Sequence, residues 1–372
     1  MLVIGAGIIG CACAAALAAS GMQVTVVEAS TVGGGATAAG MGHLVVMDDN
    51  PAELALSRRS LELWRTLVQD QAEAHEYSRC GTLWVAADDE EMAAAQAKQT
   101  ILNAHGIACE LLDEAALYHA EPELRQGLAG GLLVNGDALV YPPKSAQLLL
   151  DRAIASGARL LRAQVDSIGE RGVLCSDGRQ LHADHIVVAN GLAAAALLPE
   201  LPLRGKKGHL LITDRYPGFI RHQLVELGYI KSAHASDGDS VAFNLQARPT
   251  GQILIGSSRQ FDAQDKAVEM VMIRKILDHA AGFVPRLAQL NVLRCWTGLR
   301  AVTPDGLPLI GPHPTRANIW LATGHEGLGI TTSLATAELL AAQISGRPTA
   351  IPAAPYLPAR LLAASLHREQ HA

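Results

Sequence analysis

The sequence has few aromatic residues, few charges and no basic cluster. Aromatic residues make up 4% of the 372 residues, charged residues make up 18%, and the formal net charge is −6. A nucleic-acid groove needs a basic face and aromatic rings on which bases can stack. No run of Lys or Arg supplies such a face. The composition therefore argues against a nucleic-acid partner.

Long apolar runs and paired cysteines are also missing. Each apolar stretch is interrupted by Gly, Pro or charge well short of the roughly 20 residues that cross a bilayer, so no membrane span is predicted. No charged segment precedes the first apolar run, which speaks against a signal peptide. The six cysteines form no CxxC pair, which is typical of free thiols in a reducing compartment and offers no metal or iron–sulfur ligands. We expect a cytoplasmic protein without a metal.

The N-terminus carries a dinucleotide-binding pattern. Residues 2–28 predict a strand, a glycine turn, an Ala-rich helix and a second strand, which together form a βαβ unit. The turn at residues 5–10 reads Gly-Ala-Gly-Ile-Ile-Gly, and Glu28 ends the second strand. The glycines permit a tight turn, close approach of a pyrophosphate and packing of helix on strand, while the acid accepts hydrogen bonds from ribose hydroxyls. The pattern indicates NAD or FAD and disfavours NADP.

A second glycine-rich loop helps to decide between these two cofactors. Residues 33–42 are almost all Gly, Ala or Thr and follow soon after Glu28. Such a loop can run along an extended cofactor toward a ring system, which a long flavin dinucleotide requires and NAD does not. No second GxGxxG follows a strand, so a reductase that binds two nucleotides is not supported.

The C-terminal part contains a turn-rich segment at 296–311, a predicted strand at 318–322 and a glycine-rich start to the last helix at 330–344. A helix N-terminus that is reached through glycines is a site for anions, and it would stabilise the negative charge of a reduced flavin. Arg300 could bind a substrate carboxylate with both arms of its guanidinium. Taken alone, Arg300 is better interpreted as the partner of a surface carboxylate.

Together these motifs resemble the D-amino-acid oxidase superfamily, the FAD-dependent amine and amino-acid oxidoreductases that include glycine oxidase and sarcosine oxidase. The resemblance runs from residue 1 to about residue 345. It rests on the fingerprint with Glu28, the loop at 39–41, the turn at 298–300 and the loop at 323–325. Residues 255–262 and 323–332 narrow it to the β subunits of bacterial dehydrogenases for D-hydroxyproline and opines and the related hydrogen cyanide synthase.

The resemblance implies an α/β fold in which a Rossmann-like (GR2-type) FAD-binding domain is interleaved with an α+β substrate domain built on a mixed sheet. The mixed sheet would form a roof over the flavin. The implied FAD-binding domain is discontinuous, and the ranges are 1–80, 137–205 and 291–372 for FAD binding and 81–136 and 206–290 for substrate binding.

The resemblance also implies site residues. Arg300 matches the arginine that holds the substrate carboxylate, while Asn244 and Gln246 share one face of a roof strand, where they line the substrate pocket or serve only packing. Gly298 stands where monomeric sarcosine oxidase has a flavin-bound cysteine, and Cys295 is better interpreted as a buried thiol, so we expect non-covalent FAD. The FAD-binding residues would be Gly5, Gly7, Ile8, Ile9, Gly10, Glu28, Ala29, Ala36, Thr37, Gly40, Met41, Gly42, Val165, Gly191, Gly324, His325, Gly327, Leu328, Gly329, Ile330 and Thr331.

The implied reaction is oxidation of the C–N bond of a D-amino acid or secondary amino acid, such as D-hydroxyproline, to an imine. The chain would act as the catalytic β subunit of a dehydrogenase, beside larger flavin or iron–sulfur subunits that could bring it to a membrane surface. Two alternatives stay open: an oxidase that passes electrons to oxygen, and a non-catalytic electron-transfer subunit. His43, His209 and His325 are candidate acid–base groups, and of these only His325 lies on a family motif.

Overall fold

The structure, a computed structural model, describes residues 1–47, 50–228, 238–261 and 265–362. The predicted domain ranges also cover the remaining segments, which lie outside the described residues. The strands are, in chain order, β1 (Leu2–Ile4), β2 (Thr25–Glu28), β3 (His43–Leu44), β4 (Thr82–Ala86), β5 (Glu110–Asp113), β6 (Gly130–Val134), β7 (Ala138–Leu139), β8 (Arg159–Arg162), β9 (Val165–Gly169), β10 (Gly172–Cys175), β11 (Gln180–His182), β12 (Ile186–Val188), β13 (Arg204–Arg215), β14 (Gln223–Glu226), β15 (Ser240–Ala247), β16 (Gln252–Phe261), β17 (Val292–Val302), β18 (Leu309–Pro312) and β19 (Ile319–Thr323). The α-helices are α1 (Ile8–Ala19), α2 (Gly35–Ala39), α3 (Pro51–Val68), α4 (Asp89–Ala104), α5 (Glu114–Ala120), α6 (Pro142–Ala155), α7 (Ala194–Leu197), α8 (Met270–Phe283) and α9 (Gly329–Ile344).

The smaller of the two main sheets is mostly parallel, in the order β18-β19-β12-β1-β2-β8. All of its neighbouring strands pair in parallel except β18, which is antiparallel to β19. Both faces of β1 are buried: Val3 packs in the cluster with helices α1, α6 and α9, while Leu2 and Ile4 pack in the cluster with β10 and α7. Strands buried on both faces explain the continuous apolar runs in the sequence.

Helix α1 packs closely on β1 because small residues dominate its sequence. A Cβ on Gly10 would lie 1.9 Å from the carbonyl oxygen of Gly5, so only glycine allows the observed distance between helix and turn. Cys11 and Cys13 are fully buried in this helix, and the Cys11 thiol donates a hydrogen bond to the carbonyl of Ala6 at 3.3 Å.

The larger sheet runs in the order β17-β13-β16-β15-β14-β4-β6-β5. Its pairs are antiparallel, apart from the parallel pair of β4 and β14. One face packs on helices α5 and α8 in a single apolar cluster, in which Phe243 stacks on Phe283 with ring centroids 4.4 Å apart. The opposite face carries Thr82, Trp84, Val225 and Asn244 and borders a cavity; this face is called the roof below.

Side chains mark the starts of two helices. At the start of α3 the Asn50 side chain accepts a hydrogen bond from the Glu53 amide, and Pro51 follows it. Helix α8 begins only at Met270, and before it the Asp265 carboxylate accepts from the Ala267 amide, which competes with a helical turn. The predicted loop at 33–42 contains the short helix α2.

The predicted domain division assigns residues 291–372 to FAD binding. In the structure, however, β17 forms a long antiparallel ladder with β13 and is part of the larger sheet. Strand β17 therefore belongs to the larger sheet, although β18 and β19, which follow it in the chain, belong to the smaller one. Across the described ranges, none of the helices combines the length and the apolar character needed to cross a bilayer.

Candidate active site

A cavity of about 790 Å³ lies between the parallel sheet and the roof. Its size falls in the upper part of the range for cofactor and ligand pockets, roughly 300–1,000 Å³. It extends from Val165 and Glu28 at one end to Trp84 and Asn244 at the other. Its wall includes most of the residues predicted for FAD, namely Gly5, Gly7, Ile8, Ile9, Glu28, Ala29, Ala36, Thr37, Gly40, Met41, Val165, Gly191, Gly324, His325, Gly327, Leu328, Gly329 and Ile330.

The turn at residues 5–10 together with Glu28 forms one end of the cavity and is called the cradle. Gly5 has a φ of +99°, and a Cβ there would lie 2.8 Å from the Cα of Asn190. The Glu28 carboxylate accepts hydrogen bonds from the amides of Ala6 at 2.6 Å and Ser30 at 2.7 Å. Gly7 precedes α1 without a side-chain cap of its own. The Ile8 amide donates to the Thr37 hydroxyl at 3.0 Å, and the amides that follow it in the first helical turn can meet an anion.

Three predicted FAD residues do not line the cavity but fix the segments that do. Gly10 allows α1 to approach Gly5. Gly42 allows close approach to the Val140 carbonyl, since a Cβ would lie 2.1 Å from that oxygen. The Thr331 hydroxyl donates to the carbonyl of His43 at 2.9 Å and so ties the start of α9 to β3. These contacts are structural, and we place none of the three on the cavity wall.

Helix α9 begins at the cavity with no side-chain cap, so the positive end of its dipole lies beside the space where a flavin would bind. His325 precedes this helix, but its ring turns into the protein, where Nε2 and the Thr336 hydroxyl are 3.0 Å apart. Burial lowers the pKa of His325 to about 3, so the ring is neutral at pH 7. The ring is therefore held as part of the packing of the loop.

Arg300 lies on β17 with its guanidinium extended over Gly208 of β13. A Cβ on Gly208 would be 2.6–2.9 Å from the guanidinium atoms, so the absent side chain makes room for the arginine. The Nη1 group donates to the carbonyl of Ser258 at 3.3 Å, and Arg300 and Gly208 both line the cavity. Sequence reasoning missed Gly208, because its role appears only once β13 and β17 are paired.

Arg300 lies beside an ion pair. Glu326 pairs with Lys206, and both Arg259 and Arg300 act electrostatically on Lys206. Although burial acts to raise the pKa of Glu326, Lys206 and Arg300 hold that pKa below its usual range. The guanidinium of Arg300 lines the cavity and can bind an anionic group through two parallel N–H donors.

The other candidate histidines are also buried. Burial lowers the pKa of His43, which lines the cavity, to about 4. His209 has no exposed surface; its Nδ1 is 2.9 Å from the Ser258 hydroxyl and its Nε2 accepts from the Glu269 amide at 3.0 Å. Burial also lowers the pKa of His209, so both rings are made weaker bases than an ordinary histidine. Their positions favour a structural role.

The predicted roof residues separate into two positions. Asn244 lines the cavity, whereas Gln246 is fully buried and lies behind the wall. Sequence reasoning missed Thr82, Trp84 and Val225, which line the cavity from β4 and β14. Their strands are short and buried throughout, so no alternation of polar and apolar residues reveals which face meets the cavity.

Residues 1–343 match the family described as DAO, FAD dependent oxidoreductase, and the chain belongs to that family. A glycine oxidase of Pseudomonas aeruginosa is 29% identical over 377 residues, covering 96% of this chain and 98% of that protein. The fold is similar to the crystal structure of glycine oxidase from Geobacillus kaustophilus, with a TM-score of 0.85, 26% identity and coverage of 96% and 97%.

Two further relatives match over a shorter range. The hydrogen cyanide synthase subunit HcnC of Pseudomonas aeruginosa is 29% identical over 321 residues, which is 83% of this chain and 74% of that protein. A D-amino acid dehydrogenase of Methylobacterium nodulans is 29% identical over 308 residues, which is 78% of this chain and 70% of that protein. The predictions of the superfamily, of the α/β fold and of FAD as cofactor are confirmed.

The residues present fit FAD. The cradle offers glycine backbone that a Cβ would obstruct, an acidic residue at the end of β2 and an uncapped helix start, which suit a dinucleotide. The volume between cradle and roof suits its length. When bound, FAD supplies an acceptor for two electrons, so the chain itself has to bind, orient and shield the substrate. Within the described residues, no group of His, Cys, Asp and Glu could hold a metal ion.

Proposed function

We propose that the chain oxidises the C–N bond of a D-amino acid or a secondary amino acid to an imine, as the catalytic subunit of a dehydrogenase. The observation that carries the proposal is the guanidinium of Arg300, which lies over Gly208 at the cavity wall. A substrate carboxylate bound there would be fixed in direction by two parallel hydrogen bonds.

The residues around Arg300 would act by positioning the substrate. Arg300 would hold the carboxylate, and the roof would keep water from the reacting carbon. The histidines that line the cavity, His43 and His325, have pKa values lowered to about 4 and about 3, so both rings are weak bases and the amine would give up its proton without help from either. Binding and orientation alone can account for a large share of a rate enhancement.

The proposed dehydrogenase role is supported by similar proteins and not by contacts within this structure. HcnC is a subunit of hydrogen cyanide synthase and a second relative is a D-amino acid dehydrogenase, which supports a chain that delivers electrons to partner subunits. We propose partners that carry further flavin or iron–sulfur centres and a cytoplasmic location. A D-hydroxyproline-like substrate is the compound class we would test first.

An oxygen-using oxidase is the second candidate. The glycine oxidase of Pseudomonas aeruginosa covers nearly the full length of both chains, which favours a self-sufficient enzyme. Oxygen consumption by the isolated chain separates the two candidates. Rapid consumption with hydrogen peroxide as product would establish the oxidase, and substrate-dependent flavin reduction without oxygen consumption would establish the dehydrogenase.

The test is an anaerobic visible spectrum of the FAD-loaded chain during addition of D-amino acids, D-hydroxyproline, opines and glycine. Loss of the flavin band with one compound is the expected result and identifies the reaction class. A flavin band that no compound bleaches would contradict the proposal and favour a non-catalytic electron-transfer subunit. The same spectrum after oxygen is readmitted shows whether the isolated chain reoxidises.

We further propose that FAD is held without a covalent bond. Gly298 faces Ala39, and a Cβ on it would lie 2.4 Å from the Ala39 methyl group, which leaves no space for a longer side chain. Cys295 packs against the apolar cluster on the face of the sheet opposite the roof. Acid precipitation should therefore release all FAD into the supernatant, and flavin that stays with the pellet would show a covalent link.

A further inference from the structure

The roof contains buried polar atoms that have no hydrogen-bond partner among the residues that the structure describes. They are the indole Nε1 of Trp84, the Oδ1 of Asn244 and both amide atoms of Gln246. Trp84 is 4% exposed and Gln246 has no exposed surface. A buried polar atom without a partner costs about 1–3 kcal/mol, so several in one place indicate a site that is completed by another molecule.

These atoms share one small area because of strand register. Val225 on β14 lies opposite Trp84 on β4 and opposite Asn244 on β15. Neighbouring strands are about 4.8 Å apart, so Trp84 and Asn244 stand roughly 10 Å apart with Val225 between them. Gln246 follows Asn244 by two residues and therefore projects from the same face. Trp84, Val225 and Asn244 all line the cavity.

The area lies within reach of the site around Arg300. The guanidinium bonds the carbonyl of Ser258 on β16, and Asn244 pairs with Gly256 on the same strand. Two residues of a strand span about 7 Å. An amino acid whose carboxylate is bound at Arg300 would therefore direct a short side chain toward Asn244 and Trp84.

The unpaired atoms specify the chemistry of that side chain. An indole N–H only donates, and an amide oxygen only accepts. A hydroxyl or a carboxamide can satisfy both at once, whereas a methyl group satisfies neither. A carboxylate could accept from Trp84 but could not donate to Asn244. The Lys98 ammonium lies 4.7 Å from the centre of the Trp84 ring. Its positive charge would favour an acidic substrate side chain, so the experiment has to distinguish an acidic side chain from a neutral one.

We propose that Trp84 and Asn244 form a side-chain subsite that selects amino acids with a neutral hydrogen-bonding group, a hydroxyl or a carboxamide. The inference rests on the proposed function, because Arg300 is taken to hold the carboxylate at the other end. It adds a specificity that glycine, which has no side chain, would not use.

The experiment compares isosteric amino acids with and without the polar group. Serine is paired with 2-aminobutyrate and asparagine with leucine, and aspartate serves as the charged form, each as both enantiomers. Dissociation constants are measured anaerobically on the FAD-loaded chain from flavin absorbance and tryptophan fluorescence. The polar member of a pair should bind about tenfold tighter or more, which corresponds to one or two hydrogen bonds. Equal affinities within both pairs, or tighter binding of aspartate than asparagine, would overturn the proposal.

Two variants test the residues directly. Trp84→Phe removes the donor but keeps an aromatic ring, and Asn244→Leu removes the acceptor at nearly constant volume; either should reduce the preference to less than about threefold. Trp296→Phe is the matched control, because the Trp296 indole already donates to the carbonyl of Ala39 at 3.3 Å and its loss should leave the preference unchanged. An unchanged preference in both Trp84→Phe and Asn244→Leu would overturn the proposal.

The outcomes also separate the subsite from the proposed reaction. A preference for the polar members without any flavin reduction would support the subsite and contradict the reaction. Flavin reduction by both members of each pair, with equal affinities within the pair, would support the reaction and contradict the subsite. If none of the compounds binds, the subsite is overturned whatever the reaction proves to be.

Discussion

The cradle and the roof enclose the same cavity in different ways. The cradle presents main-chain atoms, and glycines at positions 5 and 10 leave no room for a Cβ. The roof presents side chains, and several of their polar atoms have no partner within the described part of the chain. The first surface is defined by shape and the second by chemistry. Substitutions in the cradle should therefore affect whether the cofactor binds, and substitutions in the roof should affect which substrate is accepted.

The largest effect is expected for Gly10→Ala. The new methyl group would lie 1.9 Å from the Gly5 carbonyl oxygen, so helix α1 has to move away from the cradle. Overpacking of this kind costs about 1–3 kcal/mol, and we expect loss of FAD on purification and a Tm lower by about 1–4 °C. Flavin content and Tm are the measurements.

Gly282→Ala provides the control for that change. Gly282 lies in α8 with nothing within 4 Å of an added Cβ, so alanine should leave flavin content intact and Tm equal or slightly higher. A Gly10→Ala chain that retained FAD and behaved like this control would show that shape does not define the cradle.

The next effect is on substrate binding at the roof. Arg300→Ala removes the guanidinium over Gly208, and we expect KM for carboxylate substrates to rise about 100-fold or more with flavin content unchanged. Steady-state kinetics beside an absorbance ratio for bound FAD make the measurement. An unchanged KM would remove Arg300 from the site.

Gly208→Ala sharpens the same test without removing charge. Its methyl group would fall within 3 Å of the guanidinium and displace it, so KM should rise by a smaller factor, about tenfold. A full response to Arg300→Ala with no response to Gly208→Ala would mean that the arginine acts from another position.

A smaller effect is expected on the pH dependence of the free energy of unfolding, and it comes from His325. Burial lowers the pKa of His325, which lies on the cavity wall before α9, to about 3, against about 6.5 in an unfolded chain. The unfolded state therefore takes up the proton first, and stability is lost as pH falls below 6.5, by about 2 kcal/mol at pH 5. Urea unfolding of His325→Gln should show a shallower loss between pH 7 and pH 5 than the unchanged chain does. Parallel slopes would contradict a buried neutral ring.

The smallest effect comes from His279, on the side of the larger sheet opposite the roof. Its contribution to stability changes with pH in the opposite direction. Glu226 raises the pKa of His279 by hydrogen bonding, with burial opposing it. This pair stabilises the fold below about pH 6.5, and the contribution is lost as pH rises through the raised pKa of the folded state. The side chain is 35% exposed, so we expect less than about 1 kcal/mol. Unfolding of His279→Gln at pH 6 and pH 8.5 should show the difference only at pH 6.

The same contrast explains what could be predicted from the sequence. Because the cradle is made of backbone, its position is indicated by glycine spacing, and the spacing of Gly5, Gly7 and Glu28 is enough to single out three residues that line the cavity. A roof made of side chains depends on pairing between distant strands. Trp84 and Gly208 meet the cavity only because β4 pairs with β14 and β13 pairs with β17, and no local pattern reports either register. Gln246 lies on the predicted face of β15, yet its side chain is behind the cavity wall. How deep a side chain lies depends on packing that the sequence does not reveal.

The two cysteines of α1 have a consequence for chemical reactivity. Burial raises the pKa of Cys13 to about 12 and also raises that of Cys11, so almost no thiolate exists at either position near neutral pH. Only the thiolate reacts readily with peroxide or with alkylating reagents. The helix that supports the cofactor is thereby resistant to the oxidant that flavin chemistry can generate, and alkylation of Cys11 or Cys13 would report directly on how often α1 separates from the sheet.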